Sequence, residues 1–125
     1  MLFRSRLAEA SSLLQLMRSN VVAALRQYEA ALALEKGGSE DALSALPFAV
    51  AMNNLKTGAS QMAVQVINHA LLICGLSGYR NDSPYSVGRH LRDAHSAALM
   101  VNNDRILANT ANLLLALRED SELLA

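Results

Sequence analysis

The chain has 125 residues, of which 52% are hydrophobic and 4% aromatic, and its six Gly and two Pro leave few places to turn, which argues against an all-β fold. Eleven basic residues balance eleven acidic ones, so the chain lacks the basic surface typical of proteins that bind nucleic acid or an anionic membrane. A single cysteine excludes an internal disulfide and a cysteine-based zinc site, and no apolar run reaches the roughly 18 residues of a membrane span.

The first third of the chain has apolar side chains at alternating steps of four and three residues. The series is Phe3, Leu7, Ala10, Leu14, Met17, Val21, Ala24, Tyr28 and Ala31. This spacing predicts an amphipathic helix over residues 2–36, ending at Gly37-Gly38 because glycine readily adopts the left-handed cap. The pattern runs unchanged from the N-terminal residues to Leu34, so we interpret them as helix and not as a targeting peptide, and we expect a cytoplasmic protein.

A second helix is predicted over residues 44–75. Pro47 suits the first turn of a helix, and the same apolar spacing continues from Phe48 to Ile73. Gly58 lies inside this helix, where glycine costs about 1 kcal/mol relative to alanine. We therefore expect the backbone of a neighbouring element to approach closely at Gly58.

Two shorter helices are predicted in the last third. Ser83-Pro84 is typical of an N-cap followed by the first helical residue, which predicts a third helix over 84–100. A polar break with Asp104 as cap predicts a fourth helix over 104–118. We predict an all-α fold, a single antiparallel helical-bundle domain over residues 1–125. Because so few long helices leave an apolar face uncovered, we expect a homo-oligomer or a partner subunit to complete the bundle.

The histidines and the cysteine do not predict a metal site or a catalytic site. His69, His90 and His95 each lack a Glu three residues before them, so the Glu-x-x-His pattern of di-metal bundles is absent. His69 lies in the apolar series of the second helix and is interpreted as a core histidine with one hydrogen-bond partner. Cys74 ends that helix among apolar residues and is interpreted as a buried, inert thiol.

A short glycine-containing segment, Gly75-Leu76-Ser77-Gly78-Tyr79, follows the second helix. Glycines at such a place allow a tight turn and close approach of a phosphate-bearing ligand, although helix C-caps also use glycine. Three arginines follow, namely Arg80, Arg89 and Arg92. They could clamp a phosphate or carboxylate, or they could form ordinary ion pairs with Asp82 or Asp93.

The segment from His69 to Ala94 resembles the carboxy-terminal helical domain of the acyl-CoA dehydrogenases. That family shows a helix ending in Leu-Gln-x-x-Gly-Gly-x-Gly-Tyr, then a Pro, then Arg-x-x-Arg-Asp-Ala. The residues of this chain that match are Gly75, Gly78, Tyr79, Pro84, Arg89, Arg92, Asp93 and Ala94. The resemblance implies the carboxy-terminal four-helix bundle of a three-domain flavoenzyme, without its first bundle helix, the amino-terminal domain and the middle β-domain.

The same resemblance implies FAD as cofactor, held between the bundle and the β-domain, with the glycine motif reaching the flavin nucleotide of a neighbouring subunit. By this carry-over the candidate cofactor-binding residues are Gly75, Ser77 and Gly78, with Asn103 and Arg105 near the break between the last two helices. The chain departs from the family pattern at three positions. Leu72 replaces the Gln, Leu76 replaces the second Gly, and a residue near Val101 replaces the catalytic Glu.

Valine cannot remove a proton from the carbon beside a thioester carbonyl, so no catalytic residue is expected in this chain. We therefore expect a carboxy-terminal domain or subunit of an FAD-dependent oxidoreductase that acts on the CH–CH group of an acyl thioester and is inactive alone. Whether the chain forms part of an active enzyme is left open. The alternative is a non-catalytic helical module for oligomerisation or interaction, derived from that family.

Overall fold

A computed structural model of the chain describes residues 2–38 and 41–120. Its elements, in chain order, are α1 (Leu2–Lys36), a 3₁₀ turn (Ala42–Ser44), α2 (Leu46–Cys74), α3 (Leu76–Tyr79), α4 (Gly88–Met100) and α5 (Asn103–Asp120). These described residues contain helices and no strand, which confirms the all-α prediction. Ser39, Glu40 and the residues after Asp120 lie outside the described part of the predicted domain.

The first helix has the bounds that its apolar spacing predicts. α1 contains 35 residues and is therefore about 52 Å long at ~1.5 Å per residue. The Gly37 N–H donates to the Ala33 carbonyl at 3.0 Å, and Gly38 follows with a φ of 78°. Glycine is used here because this left-handed conformation strains a residue with a Cβ.

The second helix is central and separates α1 from the C-terminal helices. α1 packs along one side of α2, whereas α4 and α5 both pack on another side. Pro47 lies in the first turn of α2, as expected, although a separate 3₁₀ turn occupies Ala42–Ser44 and the helix begins at Leu46. The long first helix is therefore covered mainly from one direction.

The third predicted helix begins four residues later than expected. Ser83 does not cap a helix at Pro84, because its side-chain Oγ accepts a hydrogen bond from the Tyr85 N–H at 3.1 Å within a tight turn. The Ser83 carbonyl closes the same turn by accepting from Ser86 at 3.2 Å. α4 starts only at Gly88. The N–H of the residue before it, Val87, donates to the Gly78 carbonyl at 2.9 Å.

The expectation of close backbone approach at Gly58 is wrong. A Cβ added at Gly58 would have only the Met62 Cε within reach, at 3.9 Å, which is ordinary van der Waals contact. Gly58 therefore weakens α2 without a packing reason in the described chain.

The hydrophobic core is thin. Within the described residues only four apolar residues are buried, Ala10, Ala24, Ala31 and Val50, and no large side chain is fully enclosed. The accessible surface is 9254 Å², whereas a compact monomer of 13.4 kDa exposes roughly 6,500 Å² by the usual size scaling. The chain therefore exposes roughly 2,800 Å² more than a compact monomer of the same mass. No helix among the described residues is long and apolar enough to cross a membrane.

Candidate functional site

Gly75 ends α2 in a conformation that requires glycine. Its φ and ψ are 61° and −141°, and its N–H donates to the Leu71 carbonyl at 2.8 Å. Its own carbonyl accepts from Gly78 at 3.0 Å and from Tyr79 at 3.2 Å. A Cβ at Gly75 would meet nothing within 4 Å, so the backbone here is open to an approaching ligand.

The two residues after Gly75 present further donors. Leu76 and Ser77 form the first turn of α3, and within the described residues their N–H groups have no hydrogen-bond acceptor. The Ser77 side chain is exposed and adds a hydroxyl group. The backbone at Gly75 and the donors at Ser77 could therefore contact an anionic group such as a pyrophosphate. The exposed Leu76 side chain leaves less room for that group.

Gly78 has a different reason to be glycine. It is buried, and a Cβ added there would lie 2.7 Å from the Cys74 Cβ. The Leu71 and Val87 side chains would each come within 3.6 Å of that Cβ. Gly78 therefore lets α3 fold back onto the end of α2.

A groove of about 490 Å³ lies beside this turn, between the end of α2 and the start of α4. It is lined by Leu71, Gly78, Tyr79, Arg80, Asn81, Asp82, Gly88 and Leu91. Inside it, Arg80 donates from Nε and Nη2 to the two carboxylate oxygens of Asp82, at 3.0 and 2.8 Å. This bidentate pair occupies the Nε and Nη2 edge of the Arg80 guanidinium and compensates its charge.

The other two arginines lie on α4. Arg89 lies 3.8 Å from the Asp93 carboxylate one turn further along α4, with both side chains largely exposed. Arg92 is exposed, and no ion pair in the described part of the chain includes it. Two of the three arginines therefore form local ion pairs, with Asp82 and Asp93.

Asn103 is held by a residue that the sequence analysis missed. Lys56, on α2, donates from Nζ to the Ala97 carbonyl at 2.7 Å, to the Val101 carbonyl and to Asn103 Oδ1. This contact, the Lys56 clamp, joins the end of α4 to the start of α5, and Asn103 is only 8% exposed. The signal was present in the sequence, because Lys56 is the one Lys, Arg, Asp or Glu in α2.

The five candidate cofactor residues lie in two groups at a distance from each other. Gly75, Ser77 and Gly78 are at the end of α2, whereas Asn103 contacts Lys56, which is 19 residues earlier. At ~1.5 Å per residue the two groups are separated by about 28 Å along the helix. Of the second group Arg105 is exposed, while Asn103 has its side-chain oxygen occupied by Lys56.

The position of the expected base contains Val101, which follows the last residue of α4. Its side chain is 58% exposed, and it continues an exposed apolar cluster with Leu99 and Met100. Asp104 is close in sequence, but it lies inside the first turn of α5 and does not cap that helix as predicted; its N–H donates to Asn102 Oδ1 at 2.8 Å. The end of α4 is therefore apolar where the resemblance implies a carboxylate.

His69 is half-buried and lies beside one acidic side chain, so the expectation of a core histidine with one hydrogen-bond partner holds in part. Its Nε2 lies 3.3 Å from the Glu9 carboxylate of α1, whereas its Nδ1 is buried without a hydrogen-bond partner. Cys74 is only partly buried, so the expectation of a buried thiol holds in part. Within the described residues no three His, Cys, Asp or Glu side chains are grouped as metal ligands.

Comparison with known protein families gives a match over most of the chain. The family model described as "Acyl-CoA dehydrogenase, C-terminal domain" matches residues 3–110. This range includes α1 to α4, the turn at Gly75 and the first part of α5. No curated protein and no solved structure matches the chain significantly.

Proposed function

The chain belongs to the acyl-CoA dehydrogenase family through its C-terminal domain, and from this premise we propose that it is the helical part of a flavoprotein assembly and is inactive alone. Members of the family use FAD to dehydrogenate acyl thioesters. The match, the all-helical fold and the excess of exposed surface support this proposal. The proposed contribution of the chain is a scaffold and one wall of a flavin-nucleotide site.

The observation that carries the flavin proposal is the open turn at Gly75. The positive φ of Gly75 and the free N–H groups of Leu76 and Ser77 would let the nucleotide approach the backbone. When bound, FAD supplies the hydride acceptor that protein side chains lack. Gly78 would contribute indirectly, because it lets α3 pack closely against α2 and this packing positions Ser77.

The separation of the two candidate groups supports an oligomeric arrangement. Because Gly75 and Arg105 lie at different places along the bundle, one chain would contribute its Gly75 turn and its Arg105 side chain to different flavins. Arg105, exposed near the start of α5, is the member of its group that could pair with a phosphate. Asn103 then serves the Lys56 clamp instead of the nucleotide.

Proton removal from the substrate is assigned to another polypeptide. Val101 has no group that accepts a proton, and its neighbours Leu99 and Met100 are apolar. The chain therefore shapes an apolar surface near the substrate, while a carboxylate on a partner would act as the base. The acyl group and its carrier, coenzyme A or a carrier protein, depend on that partner as well.

The experiment is isolation of the tagged full-length chain with its bound subunits, followed by a visible absorbance spectrum and anaerobic addition of an acyl thioester. The proposal expects bound FAD that is bleached by the thioester. Gly75→Val should lower the flavin content, whereas Gly38→Val, which introduces a valine at a similar φ at the end of α1, should not. Flavin-free complexes, or equal flavin loss in both variants, would contradict it.

A non-catalytic interaction module is the second candidate, and the departures from the family motif favour it. Leu72 and Leu76 are 51% and 71% exposed where the motif has Gln and Gly, so the turn is more apolar than a nucleotide site needs. In this case the chain would assemble with itself or a partner without bound flavin. The same absorbance spectrum separates the two candidates.

A further inference from the structure

The end of α4 is held by a side chain from another helix. Carbonyls in the last turn of a helix lack the N–H partners that a further turn would supply. Lys56 of α2 donates to the carbonyls of Ala97, at 2.7 Å, and of Val101, and its positive charge suits the negative end of the α4 dipole. Its third bond goes to Asn103 Oδ1 at the start of α5. All three N–H groups of Lys56 are therefore used at the break between α4 and α5.

Packing between α4 and α5 does little to fix that break. Within the described residues both helices pack on α2, but they have few contacts with each other. The break contains only two residues, Val101 and Asn102. Asn103 beyond it is buried, and α2 has no second Lys or Arg that could replace Lys56. The Lys56 clamp is therefore the polar contact that sets where the end of α4 lies.

The clamp also determines the place of the exposed apolar cluster at the end of α4. Leu99, Met100 and Val101 are largely exposed, so few contacts with other helices fix their side chains. Their place follows from the backbone, which Lys56 holds at the carbonyls of Ala97 and Val101. Under the proposed function, this cluster is the apolar surface near the acyl thioester.

We propose that Lys56 is a positioning residue for the acyl thioester site, an inference that rests on the proposed function. Lys56 orders the cluster before the substrate arrives, and its N–H groups are all occupied by the chain itself. When a binding-competent state is only partly populated, the apparent affinity for a ligand falls in proportion to that population. Loss of the clamp therefore raises KM. The bound substrate orders the same residues, so kcat changes little.

A merely structural role of Lys56 would give a different kinetic pattern. A substitution that only destabilises the chain lowers the amount of folded complex, so the maximal rate and the flavin content of the preparation fall together. KM does not change in that case, because it is measured on the complexes that remain intact. A group that acts in the chemical step lowers kcat per flavin. Only the positioning role raises KM while kcat per flavin stays the same.

Steady-state kinetics of the flavin-containing complex test the proposal, with the octanoyl thioester of pantetheine as substrate. Pantetheine is the arm that coenzyme A and acyl carrier proteins share, so the probe does not depend on the carrier. Lys56→Met should raise KM at least about tenfold, with kcat per flavin within about twofold of the unsubstituted chain. Asn103→Leu removes one of the three acceptors and should raise KM by less. Lys36→Met, at the exposed end of α1, should change neither constant.

Backbone dynamics of the free chain give a second measurement that needs no substrate. Amide nitrogen-15 order parameters at residues 99–103 should be about 0.85 in the unsubstituted chain and below about 0.6 in Lys56→Met. Equal order parameters, an unchanged KM, or a loss of kcat per flavin without a change in KM would overturn the proposal.

A complex without flavin would contradict the proposed function instead. Calorimetric binding of the same thioester to that complex then tests the positioning role by itself. Weaker binding to the Lys56→Met complex would support this role, and equal or absent binding would overturn it.

Discussion

Replacing Lys56 by methionine tests how the C-terminal helices are held to α2. The substitution keeps a long apolar side chain but removes the ammonium group that donates to Ala97, Val101 and Asn103. Each charge-assisted hydrogen bond contributes about 1.5–3 kcal/mol net, although three bonds from one group do not add up independently. Water can replace the donor at the exposed Val101, whereas buried Asn103 loses its partner.

The expected loss is therefore about 3 kcal/mol in the free energy of unfolding. For a chain of this length it corresponds to a decrease in Tm of about 10 °C. Because α4 ends and α5 begins at the Lys56 clamp, the break between them should loosen first. Amide hydrogen exchange should accelerate at residues 97–106 before it does in α1.

Urea unfolding followed by circular dichroism, at one fixed protein concentration, measures the loss. Lys36→Met is the matched control, because Lys36 is exposed in the last turn of α1 and belongs to no ion pair among the described residues, which leaves its interaction with the helix dipole. Its expected effect is below about 1 kcal/mol. Equal effects of the two substitutions, or a change below about 1 kcal/mol for Lys56→Met, would refute the clamp.

Other stability predictions concern the glycines. Gly78→Ala should destabilise the chain by about 1–3 kcal/mol, because its Cβ would lie 2.7 Å from that of Cys74; no loss in urea unfolding would contradict the packing of α3. Gly75→Ala should cost about 1–3 kcal/mol through its backbone conformation alone, because a Cβ there would meet nothing within 4 Å, and no loss in urea unfolding would contradict this. Gly58→Ala should stabilise α2 by about 1 kcal/mol, and a lower Tm would show that something approaches Gly58.

Helix ends that are marked by glycine or proline could be predicted from the sequence. Gly37-Gly38 and Pro47 act within one turn, so the end of α1 and the start of α2 follow from single residues. Ser83 misled the prediction, since the same hydroxyl that caps helices also closes short turns. Which of the two forms depends on the Val87 to Gly78 hydrogen bond, a contact that spacing does not reveal.

Burial was harder to predict than helix position. The apolar series of α1 predicts an amphipathic helix, but it does not tell which of its members are buried: Phe3 and Leu7 are exposed, whereas the small residues Ala10 and Ala24 are buried. The reason is that α1 packs mainly on α2, and alanine allows their close approach. Likewise Gly75 and Gly78 look equivalent in the motif. Gly75 is needed for its positive φ, whereas Gly78 is needed because a Cβ there would collide with Cys74.

The central claim is that this chain covers its apolar surface only within an assembly. Light scattering of the purified chain, combined with binding of a dye that fluoresces on apolar surface, tests it most directly. We predict a mass above 13.4 kDa and little dye binding, because the apolar surface is covered in the assembly. A stable 13.4 kDa particle that binds no dye would contradict the claim.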